Sequence, residues 1–219
     1  MIKLSKHIVL FFFLILVNDS CKQIFNDTDL PDDNLINSIL LDVTDSLRLE
    51  LFNKYPFRTY VILDSLPNIK FSTYAEYKDQ PPSDNDIIFI DVLKSRPEFY
   101  LNNRPIFSKL DSSFFRYQVA QDLNYNFNKE IYINQQFIDN SVLAEEKHKY
   151  DSIVNSTGDF LNGMNYYWIK IFTPVISYDK THAFVNLEFS CLAIDCGYGL
   201  NMILEYNSNL KRWKIIRLF

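Results

Sequence analysis

Apolar and polar positions alternate most clearly over the C-terminal part of the chain. Apolar side chains recur at every second position over residues 183–189 and again over residues 200–206, and the pattern begins once more over residues 213–219, where Arg217 interrupts it. A period of two is typical of antiparallel strands with one buried face. Short connections separate these runs, so the pattern predicts a β-meander. The aromatic and β-branched run at residues 167–172 is a candidate fourth strand.

A helical period governs the chain ahead of this region. Apolar residues recur there at intervals of four, which places them on one face of a helix of about five turns. They are Leu35, Ile39, Val43, Leu47 and Leu51. Asp29 or Asp32, with Pro31 between them, supplies the start signals, and Pro56 lies beyond the end. We expect this helix to cover the inner face of the meander.

The middle of the chain carries shorter strand and helix patterns. β-branched and aromatic residues mark the strands, and Asp111 is the predicted N-cap of a second helix. Polar residues, proline and glycine mark the loops. The predicted strands are residues 58–63 and 86–93, with weak alternation over 129–138, the predicted helices are 112–123 and 141–150, and the predicted loops are 74–84, 95–105 and 156–165.

Length and composition suit one folded domain. The chain has 219 residues, of which 47% are hydrophobic. We therefore predict a single α+β domain over residues 31–219, with a long N-terminal helix packed on an antiparallel sheet that ends in a C-terminal β-meander. The 19 Phe and 14 Tyr stand beside only 4 Gly. Because an AT-rich genome favours that composition, scattered aromatic residues are no evidence of a binding site.

The N-terminus has the pattern of an export signal. Lys3 and Lys6 precede an uninterrupted apolar run at residues 8–17, which is too short to span a bilayer and predicts a signal peptide over residues 1–20. Cys21 follows, with a small residue directly before it. This arrangement resembles a bacterial lipoprotein signal, which implies that Cys21 is lipidated and becomes the mature N-terminus. Ordinary cleavage nearby, which leaves Cys21 as a free thiol, is the alternative.

These signals predict an envelope location. Residues 21–30 are polar and read as a tether between lipid and domain. We expect the protein in the cell envelope, anchored to a membrane by its N-terminal lipid on the periplasmic or outer surface. The formal net charge of -5, without a basic cluster, argues against nucleic acid as a partner. Lys211, Arg212 and Lys214 form the densest positive patch, which predicts a solvated edge of the last strand.

Cys191 and Cys196 flank one of the predicted turns. In an oxidising compartment their spacing favours a disulfide across the loop at residues 192–199. Free thiols and a zinc knuckle are the alternatives, and zinc would need two further ligands. If these two cysteines form a disulfide, Cys21 has no partner cysteine, and lipidation would explain its presence.

Residues that carry catalytic chemistry are sparse. The G-x-G at residues 197–199 lacks the third glycine and the lysine that phosphate-binding loops use. Glu145 and His148 lie at i, i+3 on a predicted helix and could face a metal, but a solvated helix face is the simpler interpretation. His182, in a polar turn before a strand, is a candidate general base. We assign no catalytic residue, no cofactor and no metal ligand, so the sequence leans against an enzyme.

The C-terminal region also resembles a module of an uncharacterised group of exported bacterial proteins. The likeness is carried by Ile176-Ser177-Tyr178-Asp179-Lys180-Thr181-His182-Ala183-Phe184-Val185, by Cys191 and Cys196-Gly197-Tyr198-Gly199, and by Trp213-Lys214-Ile215. The group's pattern is a strand, a D-x-T-x-A turn, a strand, a C-G-rich loop, a strand and a closing G-K-W-K-I strand. Leu192 stands where that pattern has glycine, and Lys211-Arg212 precede the tryptophan. The resemblance implies a meander with a Cys/Gly loop. It does not imply any particular activity.

Taken together, the sequence predicts a non-enzymatic, lipid-anchored envelope protein. It would bind an unknown protein or small-molecule partner through its loops, and we expect contact first at residues 192–199. One alternative is a hydrolase-like enzyme with an aromatic cleft. That cleft would be lined by Tyr166, Tyr167, Trp168 and His182. An acidic immunity or inhibitor protein is the other alternative.

Overall fold

The computed structural model divides the chain into two compact units, Met1–Leu30 and Pro31–Phe219. The described residues are 25–49, 59–72, 87–89, 97–121, 123–132, 135–158, 166–192 and 197–219. The predicted signal peptide and Cys21 lie outside them. In the first unit, the described part of the predicted tether contains one 3-10 turn, Asp27–Asp29, which Asn26 caps.

The first helix, α1 (Asp33–Leu47), begins at one of the two predicted caps. Asp32 is the N-cap, and its carboxylate accepts a hydrogen bond from the backbone N–H of Leu35 at 2.8 Å. The α-helix has 15 residues, and the helical backbone continues as a π-turn at residues 48–49, so the described residues do not include the predicted end of the helix. Leu51 and Pro56 lie outside the described residues. The buried apolar side chains of α1 are Ile36, Ile39, Leu40, Val43 and Leu47.

The main sheet is mixed rather than antiparallel, which corrects the prediction. In chain order the strands are β1 (Thr59–Leu63), β2 (Lys70–Ser72), β3 (Ile87–Phe89), β4 (Tyr100–Leu101), β5 (Arg104–Pro105), β6 (Phe137–Ile138), β7 (Tyr166–Ile171), β8 (Val175–Ile176), β9 (His182–Cys191), β10 (Tyr198–Asn207) and β11 (Arg212–Leu218). The main sheet has the order β11-β10-β9-β7-β1-β6, with β8 beside β9. The meander and its fourth strand β7 are antiparallel, as expected. β1 is parallel to β7 and to β6. Parallel pairing requires a crossover connection, and about a hundred residues connect β1 to β7.

Helices cover both faces of this sheet, whereas the alternation predicted one polar face. On one face α1 packs against Val185, Leu187, Met202 and Leu204. On the other face the helices are α2 (Lys109–Ala120) and α3 (Asn140–Thr157). Phe115 of α2 packs in one cluster with Phe172, Phe184 and Ile203, and Leu143 of α3 packs with Val61. The apolar residues that interrupt the polar face are therefore the contacts of the second layer.

A bulge in β11 changes the face that its last residues occupy. The register shift in the β10–β11 pairing makes Ile216 the extra residue. Strict alternation would place Phe219 on the same face as Trp213, which packs against α1. Phe219 instead lies on the α2 side, edge-on to Phe99 with the ring centroids 5.2 Å apart.

Two helix predictions need correction at their ends. α2 begins at Lys109, earlier than predicted, because Ser108 and Asp111 form a capping box. Ser108 is the N-cap, and Asp111 is the third helical residue rather than the cap. α3 is longer than the predicted 141–150 and ends at Gly158, whose φ of 70° places it in the left-handed conformation that commonly ends helices.

Two other predicted segments also differ. Residues 97–105, predicted as irregular, contain a 3-10 turn and the β4–β5 hairpin. Asn102 and Asn103 in its turn have φ values of 51° and 63°, as a two-residue type I′ turn requires. β3, within the predicted strand 86–93, pairs with β2 in a separate two-stranded sheet. The predicted loop 74–84 lies outside the described residues.

Candidate functional site

The two predicted cysteine sites are only partly described. Cys191 is buried, with 6% of its surface exposed, at the end of β9. Cys21 and Cys196 lie outside the described residues, so lipidation and the disulfide stay predictions. Nearby, Tyr198 is 47% exposed and stacks on Phe189, with ring centroids 4.6 Å apart. Of the predicted contact loop, Leu192 and residues 197–199 are described.

His182 belongs to a hydrogen-bonded turn. The Asp179 carboxylate accepts hydrogen bonds from the Ser177 hydroxyl at 2.6 Å and the Thr181 hydroxyl at 2.7 Å. Because the single Thr181 proton goes to Asp179, Nδ1 of His182, 2.9 Å from the Thr181 oxygen, is the donor to it. Burial alone would raise the pKa of Asp179, but the bonds from Ser177 and Thr181 hold that pKa below its ordinary value of 3.8. These bonds close the turn.

The structure does not bring the predicted aromatic cleft together. Trp168 pairs with Ser190, and Tyr167 pairs with Cys191, at the far end of β9 from His182. At about 3.3 Å per residue, Trp168 lies roughly 25 Å from His182 along the strand. Tyr167 stacks on Tyr60, with ring centroids 5.5 Å apart. The residues proposed for the hydrolase alternative therefore lie at opposite ends of the sheet.

Glu145 and His148 are both exposed on α3. No group of three or more His, Cys, Asp or Glu side chains with metal-binding geometry occurs among the described residues. None of the described helices combines the length and the hydrophobicity needed to cross a membrane.

A groove of about 570 Å³ lies where α1 ends beside the β10–β11 hairpin. We call it the helix–hairpin groove. It is lined by Asp42, Asp45, Ser46, Arg48 and Leu49 from the helix side, and by Asn207, Leu210, Arg212, Trp213, Lys214 and Ile215 from the hairpin side. A volume of this size is within the range of binding pockets.

Local hydrogen bonds fix both walls of the helix–hairpin groove. On the hairpin side, the Asn207 side chain accepts bonds from the N–H groups of Asn209 and Leu210 at 3.1 and 3.0 Å, which shapes the turn. On the helix side, the Trp213 indole N–H donates to the Ser38 hydroxyl at 3.2 Å. The walls are therefore joined by contacts between residues far apart in the sequence.

Asp42 connects the helix to the sheet edge. One of its oxygens accepts the backbone N–H of Trp213 at 2.7 Å, and the other lies 3.1 Å from Nε of Arg212. Asp45 lies 3.6 Å from Nη2 of the same guanidinium. β11 is an edge strand, and Asp42 caps one of its N–H groups. The predicted solvated edge is thus partly an ion-paired contact with α1.

Arg48 is the groove's unsatisfied cation. Its Nε is buried and has no hydrogen-bond partner within the described part of the chain. A cation at the C-terminal end of a helix stabilises the helix dipole, which accounts for the residue type. It does not account for the buried, unbonded N–H, which costs free energy.

The same groove exposes apolar surface. Leu49 is 62% exposed and Leu210 is 69% exposed, the highest values among the large apolar side chains of the described residues. Both line the groove. Single exposed leucines are ordinary, but two that share one concave surface with charged residues are typical of a contact site.

A second cavity of about 480 Å³ lies near the start of α1 and is rich in asparagine. Asn37, Asn34, Asn126 and Asn128 are among its lining residues. Asn37 already makes four structural hydrogen bonds. This cavity therefore lacks an unsatisfied group comparable to Arg48.

Sequence reasoning missed the helix–hairpin groove. Arg212 and Lys214 alone predict only a solvated strand edge, and nothing in the helix pattern distinguishes Arg48. The charge run near Leu210 is the available signal, but its ion-pair partner Asp42 lies 170 residues earlier in the chain. No family model, curated protein or solved structure matches the chain. The resemblance of the C-terminal region stays an expectation, and the groove is judged on its own geometry.

Proposed function

We propose that this is an exported, lipid-anchored envelope protein that binds a partner without catalysing a reaction, and that the helix–hairpin groove is its contact surface. The observation that carries the proposal is that two exposed leucines, Leu49 and Leu210, line the same groove. Fully burying a leucine contributes about 1.5–3 kcal/mol. Two such side chains at a groove with fixed walls supply a compact source of binding free energy.

Export and anchoring are supported by the N-terminal pattern. The apolar run, the following Cys21 and the polar residues after it suit a lipoprotein held at the periplasmic or outer surface of a membrane. Replacing Cys21→Ala is expected to move the protein from the membrane fraction to the soluble fraction, because a lipid chain supplies the anchor. Unchanged fractionation would contradict anchoring and leave the groove proposal standing.

Site-specific crosslinking tests the contact surface. A photoreactive amino acid replaces Leu210 in cells, and the matched control carries it at Ile153, an apolar residue of α3 that is 45% exposed. We expect a discrete crosslinked product from position 210 that is absent from position 153. Leu49→Ser in the same chain should reduce that product, because it removes apolar surface from the groove. Equal crosslinking from both positions, or none from position 210, would count against the proposal.

A further inference from the structure

The helix–hairpin groove carries an inference about the chemistry of its occupant, which rests on the function proposed above. We propose that it binds a protein segment in which an acidic side chain lies between apolar side chains. Leu49 and Leu210 would contact the apolar side chains. The carboxylate would bind Arg48.

Arg48 determines the acidic preference. A guanidinium presents its N–H groups in a fixed planar fork that matches two carboxylate oxygens. The Nε of Arg48 is buried without a hydrogen-bond partner among the described residues. Because that atom has almost no solvent-accessible surface, a carboxylate of the occupant would pair with the accessible part of the guanidinium instead. A neutral segment would lose that ion pair.

Local charge favours the same occupant. Lys211, Arg212 and Lys214 are exposed beside the groove. Two nitrogens of Arg212 form ion pairs with Asp42 and Asp45. With Arg48, four cationic residues stand near three carboxylates, those of Asp42, Asp45 and Glu205, the last of which lies opposite Lys214 in the β10–β11 pairing. The whole chain has a formal net charge of -5. The groove is therefore a locally positive surface on an acidic protein, which steers a negative segment to it.

The shape of the groove favours a peptide segment over a bilayer. Its volume is about 570 Å³, and Trp213 at its wall is only 5% exposed. Side chains can enter such a recess, whereas a flat lipid surface meets only its rim. An anionic bilayer would contact Leu49, Leu210 and the lysines without entering the recess.

Peptide selection tests the inference. The probe is a displayed library of random peptides of about 12 residues, selected on the full-length chain carrying Cys21→Ala and counter-selected on the same chain with Leu210→Ser. We expect enriched peptides to place Asp or Glu beside Leu, Ile or Phe. Arg48→Gln should weaken their binding by about tenfold or more. Arg104→Gln, which changes an exposed arginine of the β4–β5 hairpin, should leave the affinity unchanged.

Other outcomes would overturn the inference. No enrichment, enriched peptides without acidic residues, or equal affinity for the Arg48→Gln chain would each do so. Binding to phosphatidylcholine vesicles with about 30% phosphatidylglycerol, if lost on Leu210→Ser, would assign the surface to the membrane instead. A crosslink from position 210 that persists with Arg48→Gln would keep the proposed function and refute only the acidic chemistry.

Discussion

Asn37 offers the sharpest test of how the described fold is held together. Its side chain is buried in α1, with 6% of its surface exposed. Its Nδ2 donates to the carbonyl of Asn126 at 3.0 Å, and its Oδ1 accepts from the Asn128 N–H at 2.8 Å and the Tyr132 hydroxyl at 3.1 Å. One amide thus fixes a segment about 90 residues away against the first helix. The perturbation is Asn37→Ala.

The expected loss follows from these three bonds. Each contributes about 1 kcal/mol, and a buried group left unpaired costs about 1–3 kcal/mol. Alanine returns about 0.5 kcal/mol through its better helix propensity. The Tyr132 hydroxyl keeps a longer contact with the Asn37 carbonyl, at 3.3 Å, which limits the cost. We expect the free energy of unfolding to fall by about 2–4 kcal/mol, a large share of the 5–15 kcal/mol typical of domains.

Urea unfolding monitored by circular dichroism measures this loss. The matched control is Asn34→Ala, which changes an exposed asparagine in the first turn of the same helix. Tyr132→Phe in a double-mutant cycle with Asn37→Ala isolates the bond between the two side chains. If Asn37→Ala and Asn34→Ala differ by less than about 1 kcal/mol, the three bonds do not stabilise the fold as argued.

Three further predictions concern other groups. Burial, with Asp33 and Asp32 nearby, raises the pKa of Tyr125 from 10.0 to about 12. Because the pKa is higher in the folded state, Tyr125 stabilises the fold below pH 10, and this contribution is lost as the pH rises towards 12. Tyr125→Phe should therefore flatten the decline of urea stability over that range, and an identical decline would refute this. Asp42→Ala should lower the free energy of unfolding by about 2 kcal/mol, because the Trp213 N–H at the sheet edge loses its acceptor, whereas Arg212→Ala should lower it by less than about 1 kcal/mol in the same urea assay. Equal losses would contradict the argument. Alkylation of the chain unfolded in denaturant without reductant, measured by intact mass, should leave Cys191 and Cys196 unmodified, and two alkylated thiols would refute the disulfide.

The candidate site was only partly accessible from the sequence. The export pattern and Cys21 are local signals, which can be read without a structure. The sequence does not show that Arg48 and Leu210 line the same groove, because the groove forms only where the end of α1 meets the last hairpin. His182 shows the reverse case. Its residue type indicates a candidate general base, but in the structure its ring and backbone N–H groups make hydrogen bonds within the turn, to Thr181 and Ser177.

The sequence by itself determined the elements whose patterns are local. A start of α1 at Asp29 or Asp32 follows from residues within a few positions of one another, and so does the antiparallel meander β9–β11. Only the tertiary structure decided the parallel placement of β1 beside β7, the second helical layer and the position of Phe219 beyond the β11 bulge. These features depend on contacts between residues far apart in the chain, and a local period carries no information about them.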